Sequence, residues 1–290
     1  MLNRTLTLHI GLPKTATTFL QHWILKPAIG HGFIHRTRGG RARRICHYFK
    51  ELAATDDSVS RTYHEKIGSG LADYVNRFPD VRSIVVSDEN ISGRAIQFWH
   101  GKGPGPAQLA ERLAALGQDL GHLFSTMRVV IGIRRQDQWL ASRYAESSTV
   151  FENFDQQDFD QRMADISRLD PLGPVFDWLD YRKVHEVFGH ALGAENLLVI
   201  SMERLRSEPE STLKDLGEFV GVPELLQTYK KLVEHDVNVM RNKLSSGNDS
   251  WQLRRDGSLL HLTPKLQGDI LARLAESNQA LDRLVSLHFN

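Results

Sequence analysis

Apolar and polar side chains alternate at the start of the chain. Leu6, Leu8 and Ile10 are separated by Thr5, Thr7 and His9, and the pattern ends near Gly11. A period of two predicts a β-strand. The next stretch, from about Thr17 to Leu25, has helical spacing, and Pro27 is expected to stop it. Three short apolar runs follow at wide intervals: SIVVS (83–87), RVVIGIR (128–134) and NLLVI (196–200). Each reads as a buried strand. DQWLASRYAES, after the third strand, has helical spacing, and Pro209–Glu210 open another helix that Gly221 and Pro223 end. GKGPGPA (101–107) and SSGNDS (245–250) read as loops, the first of them mobile, and a helical segment is expected around 265–287.

Strands that alternate with helices predict an α/β fold with a mainly parallel central sheet flanked by helices. One domain is expected over 1–290, with a helical C-terminal segment from about 250. In such sheets ligands gather at the carboxyl ends of the strands. Chemistry is therefore sought in the loops after Ile10, Val86 and Ile133.

Composition narrows the function. Charged residues are 24% of the chain and the formal net charge is +1, so any anion site must be local and a nucleic-acid partner is not expected. The one cysteine, Cys46, excludes an internal disulfide and a four-cysteine metal site. No apolar run reaches the roughly 18 to 20 residues needed to span a bilayer, and the N-terminus lacks the apolar stretch of a signal peptide. A cytoplasmic protein is expected, and no metal-ligand cluster stands out.

The first loop, HIGLPKTATTFLQ (9–21), joins a strand to a helix. The first amides of a helix have no internal partner and face anions well. Thr15, Thr17 and Thr18 add hydroxyls, and Lys14 adds a compact positive charge. A phosphate group fits this chemistry. Threonines also cap helices with nothing bound, and the residues alone leave both readings open. The loop is not a Walker A motif: Lys14 comes three residues after Gly11 and follows Pro13.

The stretch resembles the 5′-phosphosulfate loop of sulfotransferases that use 3′-phosphoadenosine 5′-phosphosulfate (PAPS). Many members read H-x-G-x-x-K-T-G-T-T-x-L-Q, matched here at His9, Gly11, Lys14, Thr15, Thr17, Thr18, Leu20 and Gln21. Ala16 departs from the usual glycine. Alanine takes positive φ only at a cost, so Ala16 is expected to be helical already. A second likeness lies in IRRQDQWLASRY, where Arg134 ends a strand and Ser142 follows eight residues later. In the family such a pair binds the 3′-phosphate. Arg135 is the competing arginine, seven residues from Ser142, and both Arg134 and Ser142 also fit plain structural roles. A third likeness covers 195–224, with Glu203, Leu205, Pro209, Phe219, Gly221 and Pro223 in family positions that are mostly structural.

The resemblance implies a P-loop-like sulfotransferase fold, PAPS as donor, adenosine 3′,5′-bisphosphate as product and no metal. It places Lys14, Thr15, Ala16, Thr17, Thr18, Arg134 and Ser142 around the nucleotide, with Arg241 and Lys243 as late candidates. The acceptor, a carbohydrate or small metabolite, needs a base. Asp88 and Glu89 follow a strand in VVSDEN, and Glu89 is chosen ahead of Asp88, with His9, His35 and His47 as rivals. Asp88 can equally cap a turn. RTRGGRARRICHYFK (36–50) reads as a solvated face or as a rim that gathers anions. A nucleotide-dependent kinase and a non-catalytic nucleotide-binding protein on the same fold are the alternatives.

Overall fold

The computed structural model describes residues 3–55, 57–93, 98–150, 153–234 and 249–289. Five strands form a parallel sheet: β1 (Thr5–His9), β2 (Phe33–Ile34), β3 (Ser83–Ser87), β4 (Thr126–Ile133) and β5 (Leu197–Ser201), in the order β2-β3-β1-β4-β5. β1 is central, with His9 level with Ser87 on one side and Val130 on the other.

The period of two explains the layers. Leu6, Leu8, Ile84, Val86, Val129, Ile131, Ile133, Leu197 and Val199 enter one buried cluster. The intervening Val85, Val130 and Ile200 enter a second with Phe19, Ile24 and Leu25. Alternate residues thus feed cores on opposite faces, and helices cover both. In β1 the second face is Thr5, Thr7 and His9, the first half-buried and the other two buried. This polar seam lies under the loop that carries Lys14.

Twelve described helices flank the sheet. α1 (Thr17–Phe19) runs into a π-helical stretch, Leu20–Leu25, and then α2 (Lys26–Ile29). Pro27 therefore does not stop the chain's helical path. A proline ring crowds the carbonyl four residues back. Here the turn is widened first, with the Lys26 N–H bonded to the Gln21 carbonyl, five residues back, and the helical path continues to Ile29. α3 (Gly40–Ala54), α4 (Asp57–Arg77) and α5 (Pro106–Asp119) follow, then α6 (Gln136–Ser147), α7 (Gln156–Arg168) and α8 (Tyr181–Leu192). α9 (Met202–Ser207), α10 (Pro209–Val220), α11 (Leu225–Glu234) and α12 (Pro264–Val285) complete the series. Gly221 ends α10 in the left-handed conformation at φ 72°, as its sequence foretells.

The helix expected around 265–287 is α12, and the C-terminal segment before it differs from the expected helix or loop. It opens with an antiparallel hairpin, β6 (Ser250–Gln252) and β7 (Leu259–His261), before α12. Trp251 and Leu260 are fully buried, so the hairpin packs rather than loops. The 101–107 stretch is a loop only in its first part, because Pro106 already begins α5. Arg241 and Lys243 lie outside the described residues. No described helix is long and apolar enough to cross a membrane.

Candidate active site

The loop after β1 stays bound to β4. Ile10 N–H donates to the Val130 carbonyl (3.0 Å) and Leu12 N–H to the Gly132 carbonyl (2.9 Å). Two glycines allow this approach. A Cβ on Gly11 would stand 2.9 Å from the Gly132 nitrogen, and one on Gly132 would stand 2.7 Å from Thr15 Oγ1. The Thr15 hydroxyl donates to the Leu12 carbonyl at 2.5 Å, so it fastens the loop to itself. The Trp139 indole donates to the Pro13 carbonyl at 2.7 Å and anchors the loop to α6.

Lys14 and Ala16 both have positive φ, 71° and 61°. Ala16 is therefore not helical. It takes the left-handed conformation, at a cost of about 1–2 kcal/mol for an L-residue. It is also the N-cap residue of α1, and it carries no group that can cap. Thr17 and Thr18 lie inside the first turn, the first buried and the second exposed. The threonine-cap alternative thus fails here: no side chain caps the helix start, and no acidic residue occupies its first turn.

Lys14 Nζ lies 2.7 Å from Glu146 Oε1, and the other carboxylate oxygen lies 3.7 Å from Arg143 Nη1. Glu146 and Arg143 were not singled out by sequence. Their signal is the spacing Trp139, Arg143, Glu146, which puts three chemically distinct side chains on one helical face.

The turn after β3 adjoins this loop. Asp88 N–H donates to the His9 carbonyl (3.1 Å), and the Ser92 hydroxyl reaches the Gly11 carbonyl (3.5 Å). Asp88 Oδ1 accepts from the backbone and side-chain nitrogens of Asn90 (3.0 and 2.8 Å), so this carboxylate caps the short turn Glu89–Ser92. Glu89 accepts from Gln21 Nε2 at 3.0 Å and lies 3.6 Å from Arg36. Gln21 also donates to Ser87 Oγ (3.1 Å), which binds His9 Nδ1 (2.7 Å). Burial, with His35 adding to it, pulls the His9 imidazole down to about 4. Burial also lowers His35, while Asp88 and Glu89 act against it. Both imidazoles are thus biased to the neutral form. His47 pairs with Glu51 on α3 (3.6 Å). The basic stretch divides: Arg36 stands by Glu89, Arg38 lies over the Phe33 ring, and Arg41 faces Asp73.

Arg134 follows β4, the strand next to β1. Its Nη2 donates to Gln138 Oε1 at 3.2 Å, and its carbonyl accepts from the Tyr181 hydroxyl at 2.6 Å. Burial lowers its pKa to about 10, so it stays charged at neutral pH. Arg135 is held away: its Nε and Nη2 bind the two oxygens of the fully buried Asp137 (2.8 and 3.0 Å). Glu203 accepts the Arg135 N–H (3.1 Å) and ties α9 to the end of β4. Ser142 is buried in α6, one turn beyond Gln138 on the same helix edge. Lys14, Ala16, Thr17, Thr18, Glu89 and Arg134 therefore gather at the carboxyl ends of three adjacent strands, and α6 carries Ser142 alongside. Among the described residues, no group of three or more His, Cys, Asp or Glu could hold a metal ion.

No family model and no curated protein matches the sequence. Solved structures do match. A sulfotransferase from Alicyclobacillus acidocaldarius aligns over 96% of this chain and 94% of its own, with TM-score 0.50 and 13% identity. The sulfotransferase domain of the Synechococcus PCC 7002 olefin synthase (TM-score 0.39, 12% identity) covers 96% of this chain and 94% of its own. A sulfotransferase from Mycobacterium avium (TM-score 0.39, 13% identity) covers 100% of this chain and 79% of its own. The first of these likenesses shows the fold: the chain has the architecture of the sulfotransferases.

Proposed function

We propose that this chain, built on the sulfotransferase fold, moves a sulfuryl group from PAPS to the hydroxyl of a carbohydrate or small metabolite. One observation carries the reading. Two places suited to an anion stand at the ends of neighbouring strands: the uncapped helix start beside Lys14, and the Arg134 side chain on the edge of α6 that holds Ser142. A nucleotide with phosphates at both its 5′ and 3′ positions needs two such places.

When bound, the phosphosulfate would supply an activated sulfuryl group on a phosphate leaving group. The residues fit it. The amides of the first turn, with Thr17 and Thr18, hold the 5′-phosphate. The Thr15 hydroxyl shapes the loop, and Ala16 sets its turn. Arg134 offers a guanidinium fork to the 3′-phosphate, and Ser142 completes that site. Lys14 leaves Glu146 and donates to the phosphate oxygen on which charge grows as the sulfur–oxygen bond breaks. Glu89 takes the proton of the acceptor hydroxyl, with Gln21 orienting it. The reaction resembles phosphoryl transfer, in which positioning and charge stabilisation dominate.

Thermal stabilisation tests the nucleotide. At 100 times its Kd, adenosine 3′,5′-bisphosphate adds about 2.7 kcal/mol of apparent stability. We expect a clearly larger shift than with ATP or AMP, and Arg134→Ala reduces it to the AMP level. Equal shifts with all three nucleotides would refute a dedicated 3′-phosphate site.

A further inference from the structure

The two oxygens of Glu89, the proposed base, have different partners. Oε1 lies 3.6 Å from Arg36, an exposed side chain, so that pair is weak in water. Oε2 accepts from Gln21 Nε2 at 3.0 Å, and Gln21 is buried. The same nitrogen donates to Ser87 Oγ (3.1 Å), and Ser87 Oγ meets His9 Nδ1 (2.7 Å). Glu89 in the turn after β3, Gln21 in the π-helical stretch, Ser87 ending β3 and His9 ending β1 thus form one hydrogen-bonded chain. Register makes its last contact, because His9 and Ser87 are level on adjacent strands.

The chain has a direction. An ionised carboxylate only accepts, so Glu89 requires the NH2 end of the Gln21 amide. That nitrogen spends one N–H on Glu89 and the other on Ser87, so Ser87 Oγ accepts. The Ser87 proton is left for His9 Nδ1, and the neutral imidazole carries its own proton on Nε2. Burial keeps the ring neutral at neutral pH by lowering its pKa to about 4. His9 Nε2 gains nothing from this arrangement. It is buried with no hydrogen-bond partner, against Gly11, where a Cβ would stand 3.3 Å from it. An apolar ring would fill the space without that cost. What an apolar ring cannot do is fix the Ser87 hydroxyl.

We infer that His9 and Ser87 are positioning residues: by fixing the hydroxyl proton they keep the Gln21 amide turned toward Glu89, which is thereby held to take the acceptor's proton. The inference rests on the sulfuryl-transfer reading above, in which Glu89 is the base, and it gives His9 a role other than the rival base.

Nitrogen NMR of histidine-labelled protein at neutral pH reads the tautomer in the free protein, with no acceptor present. The His9 signals are those lost in His9→Gln. The expected result is the Nε2-protonated tautomer. Glu89→Ala and Gln21→Leu should each move these signals toward a mixture of both tautomers, since nothing then forces Ser87 to accept. Among the described residues no hydrogen bond joins Glu89 to His9 directly, so a chain that only fills the core would leave the tautomer unchanged in Glu89→Ala. Rates give the second readout, as release of adenosine 3′,5′-bisphosphate from PAPS across an acceptor panel. Gln21→Leu takes a hydrogen bond from a charged group and should lower kcat about 10- to 100-fold, and Ser87→Ala about 3- to 10-fold, with KM for PAPS nearly unchanged. The Nδ1-protonated tautomer in the wild type, a tautomer unmoved by Glu89→Ala and Gln21→Leu, or wild-type kcat in a folded Ser87→Ala protein overturns the inference. The wild-type spectrum decides the direction of the chain even where a variant does not fold. If transfer occurs and the tautomer does not respond, only the positioning inference fails. If the tautomer responds and no acceptor is sulfated, the transfer reading fails while the directed chain stands.

Discussion

Lys14→Ala separates chemistry from stability. In the resting structure Lys14 has one ion pair, with Glu146 at 2.7 Å, and the two side chains are 23% and 28% exposed. A pair this open to water contributes about 0–1 kcal/mol. Its loss does not strand Glu146, which keeps Arg143 nearby. Lysine and alanine meet similar backbone strain at φ 71°, so the loop conformation is not newly penalised. The expected loss of stability is under about 1 kcal/mol, or roughly 2 °C in Tm for a chain of this size. The transition state is different. A donor aimed at a developing charge is worth ~2.7–4 kcal/mol, or ~100- to 1,000-fold in rate. The assay is release of adenosine 3′,5′-bisphosphate from PAPS across an acceptor panel, run beside thermal melts with and without that product. Turnover should fall by at least about 100-fold, while Tm and its shift on product binding change little. Turnover above a tenth of the wild type would show that Lys14 does not meet the developing charge. A Tm loss beyond about 5 °C would show that the lysine mainly holds the fold.

Other outcomes follow from the same geometry. Glu89→Gln preserves size and the Gln21 contact but removes the base, so turnover should drop about 100-fold or more with Tm nearly unchanged; near-normal turnover would shift the role to Glu146, the carboxylate beside Lys14. Ala16→Gly relieves a left-handed alanine, worth about 1–2 kcal/mol, and loosens the unfolded chain by about 0.4–1 kcal/mol, so melts should show a net gain near 0.5–1 kcal/mol; a loss would contradict the strain. His9 binds its proton at about 4 in the fold against 6.5 in the open chain. The unfolded state therefore takes up more protons between those values, and stability falls as pH falls through that window, by about 3 kcal/mol. Denaturant titrations from pH 7 to 4 should show this slope, and His9→Gln should flatten it; an equal slope in the variant assigns the acid sensitivity elsewhere.

The sheet was legible because its chemistry is local. SIVVS and RVVIGI must be buried on both faces, and β1 alternates as a strand does. The position of the first loop between β1 and α1 was legible for the same reason, and its proposed anion donors are consecutive residues. Ala16 was misjudged because its backbone is set by tertiary contact: Leu12 is bonded to β4, Thr15 is fastened to Leu12 and lies close against Gly132, and the residue before α1 must turn to meet the helix. Pro27 misled because a π turn upstream leaves no mark in hydrophobic periodicity. The charges of Arg143 and Glu146 were visible, but nothing nearby in sequence says that their face meets Lys14. The cleft beside the Lys14 loop draws on positions as distant as Pro13, Phe98 and Trp178, which meet only in the fold.

Helix α6 presents two distinct edges beside the Lys14 loop. Successive residues turn by about 100°, so Trp139 and Glu146 fall within about 20° of each other. These two contact Pro13 and Lys14 and define the line along which the helix touches the loop. Gln138 and Ser142 fall on one side of that line, Arg143 on the other, with Ser142 and Arg143 about 100° apart. The contacts agree with this division: Arg134 reaches Gln138 on the first side, and Arg143 enters the apolar cleft on the second. One edge of the helix thus carries the residues of the proposed 3′-phosphate site and the other carries Arg143, with Lys14 at the boundary. Arg134 lies before α6, and its side chain reaches Gln138, from which Ser142 follows one i+4 step along the same edge.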